Sequence, residues 1–119
     1  MTERPLVSVI MPTYNQAAFI GEAIQSVLAQ TYSDLELIVI DNYSSDSTRD
    51  VVASLRDARV RYFQFANQGV IAAGGNFGVR QARGEVLAFL DSDDAWLPNK
   101  LEAQLPHLRA PNTCLVACD

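Results

Sequence analysis

The chain has 119 residues, with 9 Lys and Arg against 14 Asp and Glu, for a net charge of −5. Apolar residues make up 49% and charged residues 19%, a mix that excludes a disordered tail. The acidic balance argues against a binder of nucleic-acid backbone, which shows a basic face.

A chain of this length buries roughly two-thirds of its unfolded surface, so one domain over 1–119 is expected, with a core that needs no staples. The longest apolar runs fall well below the roughly 18 residues of a membrane span. Met1-Thr2-Glu3-Arg4-Pro5 lacks the charged-then-apolar form of a signal peptide. Cys114 and Cys118 have neither zinc nor redox spacing and read as small buried residues of a terminal strand. A reducing, cytoplasmic setting is expected.

The first element is an apolar, β-branched strand over Leu6–Met11, which Pro12 should stop. Residues 17–30 carry Phe19, Ile20, Ala23, Ile24, Val27 and Leu28 at helical spacing. Leu35–Ile40 is a second strand, its near-continuous apolar run suited to burial on both faces of a parallel sheet. Ser44 or Ser45 is the expected cap of a helix over 46–55, with Asp46 at its positive end. Val60–Phe65 is a third strand, and 70–82 reads as helix despite Gly74, Gly75 and Gly78. The spacing of Gly74 and Gly78 suits close approach of that helix to a sheet. Val86–Leu90 is a fourth strand, a helix follows Pro98, and Thr113–Ala117 is a fifth strand. His107 in the last helix has no evident partner and reads as surface or packing.

This alternation implies right-handed crossovers and an α/β fold: a Rossmann-like, mostly parallel sheet with helices on both faces. Ligands of such sheets sit beyond the carboxyl ends of the strands. Three of those ends are loaded with polar residues: Pro12-Thr13-Tyr14-Asn15, Asp41-Asn42-Tyr43-Ser44-Ser45-Asp46 and Asp91-Ser92-Asp93-Asp94. The last group crowds carboxylates that a divalent cation would neutralise, and Mg²⁺ and Mn²⁺ favour such hard oxygens. In extended backbone Asp91 and Asp93 share a face, while Asp94 points away and is free to cap the next helix. The same residues also suit a solvated turn. Asp41 follows directly on the apolar strand. A carboxylate there needs donors, either from the protein or from a ligand hydroxyl or base. Ser44 to Asp46 are equally ordinary turn and cap residues, and the aromatics Tyr62, Phe63 and Phe65 read as core.

Several of these segments, in order, resemble the family 2 glycosyltransferases. They are Val7-Ser8-Val9-Ile10-Met11-Pro12-Thr13-Tyr14-Asn15, Ala23–Tyr32, Leu35–Asp41, Ser44-Ser45-Asp46-Ser47-Thr48, Ala82-Arg83-Gly84-Glu85 and Phe89–Pro98. The resemblance implies the glycosyltransferase A-type fold. It implies an inverting transfer of a sugar from a nucleoside-diphosphate-sugar donor to the hydroxyl of an unknown saccharide, lipid or protein acceptor. It also implies Mg²⁺ or Mn²⁺ on Asp91 and Asp93, with Pro12, Thr13, Tyr14, Asn15, Asp41, Asn42, Asn76, Asp91 and Ser92 toward the donor. Family members are roughly twice as long, so a truncated domain is expected, its catalytic base and acceptor-binding half lying beyond Asp119. The setting implied is envelope polysaccharide or glycolipid assembly at the cytoplasmic membrane face.

The chain departs from the family pattern where Asn42 replaces a second aspartate, Tyr43 a small residue, and Gly75 the arginine before Asn76. An amide donates as well as accepts, which bears on the choice of base. Competing readings are a phospho-acceptor receiver domain, a nucleotidyltransferase, and a non-catalytic nucleotide-binding or interaction module derived from a transferase. The first lacks acidic residues after strand one and a late lysine, and the second lacks a Gly-rich basic loop there.

Overall fold

The computed structural model describes residues 5–105 and 114–116. Nine elements alternate along them: β1 (Val7–Thr13), α1 (Ile20–Leu28), β2 (Leu35–Asp41), α2 (Thr48–Ser54), β3 (Val60–Gln64), α3 (Ile71–Gln81), β4 (Val86–Phe89), α4 (Lys100–Gln104) and β5 (Cys114–Val116). The strands form one sheet in the order β3-β2-β1-β4-β5, and every pairing is parallel. This is the expected α/β architecture. His107 and Cys118 lie outside the described residues.

Both faces of the sheet are covered, because β1 and β2 alternate between two cores. Val7, Val9 and Met11 with Leu35, Leu37 and Val39 pack against α1, against Val52 of α2 and against Leu101 of α4. Ile10, Ile38 and Ile40 face the other way, onto Phe77 of α3 and its neighbours Phe63, Phe65 and Phe89. α3 approaches its face closely. A Cβ at Gly78 would lie 2.6 Å from Ile10 Cγ2, and one at Gly74 would lie 3.7 Å from Ile40 Cγ2.

Pro12 does not stop β1. The Ile10 carbonyl accepts from Leu90 N on the β4 side, and the β1–β4 pairing ends there, at Ile10↔Phe89. Two residues on, Pro12 turns its missing N–H toward that same side, where no ladder bond is required. The strand continues to Thr13, whose carbonyl accepts from Asn42 N on the β2 side.

The helix starts also differ from expectation. α1 begins at Ile20 rather than 17, and α2 at Thr48 rather than 46. Neither Ser44 nor Ser45 caps α2; Ser47 holds that position without a side-chain bond. Asp46 instead accepts from Thr48 N at 2.9 Å and from Thr48 Oγ1. α4 begins two residues after Pro98, behind Asn99.

β2 carries two carboxylates into the interior, Glu36 near its start and Asp41 at its end. The Glu36 carboxylate accepts from Ser8 Oγ at 2.6 Å, from Arg83 N at 2.7 Å and from Arg61 Nη1 at 2.9 Å. Ser8 Oγ in turn accepts from Gly84 N at 2.8 Å. Burial alone would push the Glu36 carboxyl up; the bonds from Ser8, Arg83 and Arg61 together outweigh it and hold the group below its ordinary value. The Ala82-Arg83-Gly84-Glu85 segment thus closes the α3–β4 connection onto β1 and β2. A charged residue in an otherwise apolar strand demands such partners, and Glu36 was the sequence signal for them.

Candidate functional site

The sheet order reverses between β1 and β4, and open parallel sheets hold their ligands in the crevice at such a switch point. A cleft of about 310 Å³ lies there. β1 and the loop after it contribute Pro12, Thr13, Tyr14 and Gln16 to its walls. β2 contributes Ile40 and Asn42, and the turn after β4 contributes Asp91, Ser92 and Asp93. Phe65 and Asn67, beyond β3, and Gly74 of α3 complete it.

Seven of the expected site residues therefore meet: Pro12, Thr13, Tyr14, Asn42, Asp91, Ser92 and Asp93. Gln16, Ile40, Phe65, Asn67 and Gly74 join them; none was expected at the site, Phe65 having been read as core and Gly74 as a point of close helix approach. Phe65 and Asn67 follow from the same rule about carboxyl ends, applied to β3, whose polar content looked slight. Phe65 also stacks on Phe77 at 4.7 Å between ring centroids, so one ring serves both core and cleft.

Asn76, Asn15 and Asp41 do not line the cleft. Asn76 is exposed on α3. Asn15 lies at the loop tip with φ 52°. Asp41 is turned away by the alternation of β2: Ile40 and Asn42 face the cleft side, while Asp41 shares the side of Val39. The Asp41 carboxylate is fully buried. It accepts from Ser44 N at 2.9 Å, from Ser44 Oγ at 2.6 Å and from the Tyr62 hydroxyl. The donors that this position demands come from the protein itself. Burial, then the Asp41 carboxylate beside it, pushes the Tyr62 hydroxyl well above its ordinary value and keeps it a donor.

The loops after β1 and β2 are stitched together. Three successive backbone N–H groups of the first are taken by side chains of the second and of the first residue of α2: Asn15 N by Ser44 Oγ at 2.8 Å, Gln16 N by Thr48 Oγ1 at 3.1 Å and Ala17 N by Asp46 Oδ2 at 3.1 Å. In return, Asn15 Oδ1 accepts from Ser45 N at 2.7 Å. The Thr48 hydroxyl, then its burial-opposed backbone bonds with Thr48 and Ala17 N, hold the Asp46 carboxyl below its ordinary value. Asn42 is fixed in turn: its Oδ1 accepts from Asn67 N at 3.1 Å.

The acidic residues sit in a turn, not in extended backbone, because Asp94 N donates to Asp91 O at 3.0 Å. The turn brings Asp94 back, so that carboxylate oxygens of Asp91, Asp93 and Asp94 all lie within 4.8 Å of one another. This corrects the expectation that Asp94 points away to cap a helix; Asn99 holds the N-cap of α4. Hard carboxylate oxygens at that separation fit an oxygen-seeking Mg²⁺ or Mn²⁺. The segment behind the turn is clamped to α1. The buried Gln30 side chain donates to Leu97 O at 2.7 Å and accepts from Leu101 N at 3.0 Å, and Ser26 Oγ accepts from Trp96 N at 3.1 Å.

Comparison with known proteins agrees with this geometry. The family model described as Glycosyl transferase family 2 matches residues 8–119. Over 100 residues the chain is 45% identical to the UDP-Glc:alpha-D-GlcNAc-diphosphoundecaprenol beta-1,3-glucosyltransferase WfgD of Escherichia coli, covering 84% of this chain and 40% of that protein. Among solved structures, S. aureus TarS 1-349 in complex with UDP-GlcNAc superposes with a TM-score of 0.74 at 32% identity, covering 85% of this chain and 30% of that one. The mannosyltransferase PcManGT from Pyrobaculum calidifontis, in complex with GDP-Man and Mn²⁺, superposes with a TM-score of 0.75 at 32% identity, covering 86% and 31%. The chain thus spans well under half the length of these relatives. Its fold is that of the A-type glycosyltransferases, and the chain belongs to glycosyl transferase family 2.

Proposed function

We propose that this chain supplies the donor and metal site of a glycosyltransferase that moves a sugar from a nucleoside diphosphate to an acceptor hydroxyl with inversion. The observation that carries the reading is that the acidic turn, Asp91 to Asp93, lines one cleft together with Tyr14 and Asn42. A nucleoside diphosphate has one hydrogen-bonding end and one anionic end; the cleft offers amide, hydroxyl and aromatic groups to the first and, through a bound cation, carboxylates to the second.

On this reading Pro12, Thr13 and Tyr14 flank the nucleoside, and Asn42 hydrogen-bonds to base or ribose. With its Oδ1 already held by Asn67 N, Asn42 has its amide N–H groups to offer there. Asp91 and Asp93 hold Mg²⁺ or Mn²⁺, with Asp94 within reach of the same ion. When bound, that ion would neutralise the diphosphate and the charge developing on the leaving group. Ser92, buried between two exposed aspartates, lines the same cleft on the donor side. The donors of the TarS and PcManGT complexes, UDP-GlcNAc and GDP-Man, are the substrate class to which this cleft is assigned. The name of WfgD points to a lipid-linked saccharide as the class of acceptor, and we place the transfer at the cytoplasmic face of a membrane as part of the same reading. No described helix is itself long and apolar enough to cross one. Inverting transfer needs a base for the acceptor proton, and we assign none of the cleft residues to that role; it is placed outside this donor site.

Calorimetric titration with UDP, GDP, CDP and ADP, each with and without Mn²⁺, tests the reading. Metal-dependent binding of at least one nucleotide is expected. Absence of heat and of any melting shift with all four would overturn it.

A further inference from the structure

We propose that Asp41 is a positioning residue of this cleft: buried behind it, Asp41 sets the loop that carries Tyr14 and Gln16 by holding the Ser44 hydroxyl, without itself touching the donor. The inference rests on the donor-site reading above and adds a relay to it. Ser44 Oγ has one hydrogen to give and gives it to Asp41 Oδ1 at 2.6 Å, which leaves its lone pairs turned to Asn15 N at 2.8 Å. A hydroxyl polarised by a carboxylate is a better acceptor for the next N–H in line. Tyr62 closes the other end, its hydroxyl on Asp41 Oδ2. The relay thus runs from β3, through the end of β2, to the loop after β1.

Two backbone strains lie on this path. Asn15 and Tyr43 both have φ 52°, in the left-handed region. A bulky residue such as Tyr43 enters that region only where its surroundings over-determine it. Bonds at Asp41, Ser44 and Asn15 bracket both positions. Tyr14 and Gln16, which line the cleft, flank Asn15 directly. Loss of the relay lets the strained loop relax, and the cleft wall moves with it.

The test is UDP titration in Mn²⁺ of the chain and of Ser44→Ala, Ser44→Thr and Tyr62→Phe, each at a temperature where melting curves show it folded. Backbone amide exchange of Asn15 is followed in parallel. Ser44→Ala is expected to weaken UDP roughly tenfold, the worth of one charge-assisted bond. Ser44→Thr keeps a hydroxyl and is expected to bind within about twofold of the parent, and Tyr62→Phe to fall between. Asn15 N–H should exchange on the order of tenfold faster in Ser44→Ala and not in Ser44→Thr. Undiminished binding by Ser44→Ala, or equal loss in both Ser44 variants, overturns the proposal. If the parent chain binds no UDP, the donor reading is what fails, and the exchange of Asn15 alone decides the relay: protection in the parent that survives Ser44→Ala overturns it.

Discussion

Gly84 lies so close to Ser8 that a Cβ on it would fall 2.9 Å from Ser8 N and 2.7 Å from Ser8 Oγ, and 2.5 Å from the Leu6 carbonyl oxygen. Two of those three atoms are backbone of β1 and its approach, which cannot step aside. Gly84→Ala is therefore expected to destabilise the chain by about 3 kcal/mol, the upper end for overpacking. Gly78→Ala meets the branched side chain of Ile10 at 2.6 Å instead and should cost about 2 kcal/mol. Urea midpoints of the two variants check both, and a Gly84→Ala protein as stable as the parent would show the contact to be looser than described.

The same corner holds the buried Glu36. Glu36→Ala takes the counter-charge from Arg61, which keeps its bond to the Gln81 carbonyl, and the acceptor from the Ser8 hydroxyl, and should cost roughly 3 kcal/mol at neutral pH. The carboxyl is held below its ordinary value of 4.5, so the folded state binds its proton less readily than the unfolded state. Its contribution is complete above the unfolded value and is lost as pH falls through the folded one. Denaturation series from pH 7 down to about 3 should give the parent a steeper acid loss than Glu36→Gln.

Thr13 presents the opposite case, a buried hydroxyl whose Oγ1 has no hydrogen-bond partner among the described residues. Valine has the same shape without the polar atom. Thr13→Val should leave stability unchanged or raise it by about 1 kcal/mol. A fall in melting temperature would show that the hydroxyl has a partner in solution.

Much of this was legible in the sequence. Apolar β-branched runs, helical spacing and cap residues located the elements, with the starts of α1 and α2 two or three residues early, and parallel pairing followed from their alternation. What the pattern could not show was where a polar residue at a strand end turns its side chain. Asp41 and Asn42 looked interchangeable as ligand groups, yet one step of alternation separates a buried anchor from a cleft wall. Asp94 was misplaced because residues 91–94 turn, and a turn breaks the alternation on which that expectation rested. Pro12 was read as a stop because the sequence does not reveal that its neighbour β4 ends first.

Gln30 illustrates a second blind spot, a polar residue just past the end of α1 with no local reason to be notable. Its amide bridges α1 to the segment behind the acidic turn through Leu97 and Leu101. Gln30→Ala leaves Leu97 O and Leu101 N without that partner and should cost about 2 kcal/mol. It should also weaken Mn²⁺ binding relative to a comparably destabilised core variant, such as Ile24→Ala, since the turn loses its backing. Metal titration of the two variants at matched stability separates the effects.

In the proposed function, the acidic turn anchors a metal-bound diphosphate. The direct measurement is anomalous scattering from crystals of this chain grown with Mn²⁺ and UDP. A manganese peak between Asp91 and Asp93, with the diphosphate beside it and the base toward Asn42, is the predicted result. Nucleotide ordered in the cleft with the metal elsewhere, or a peak at the turn with no nucleotide near it, would contradict the account.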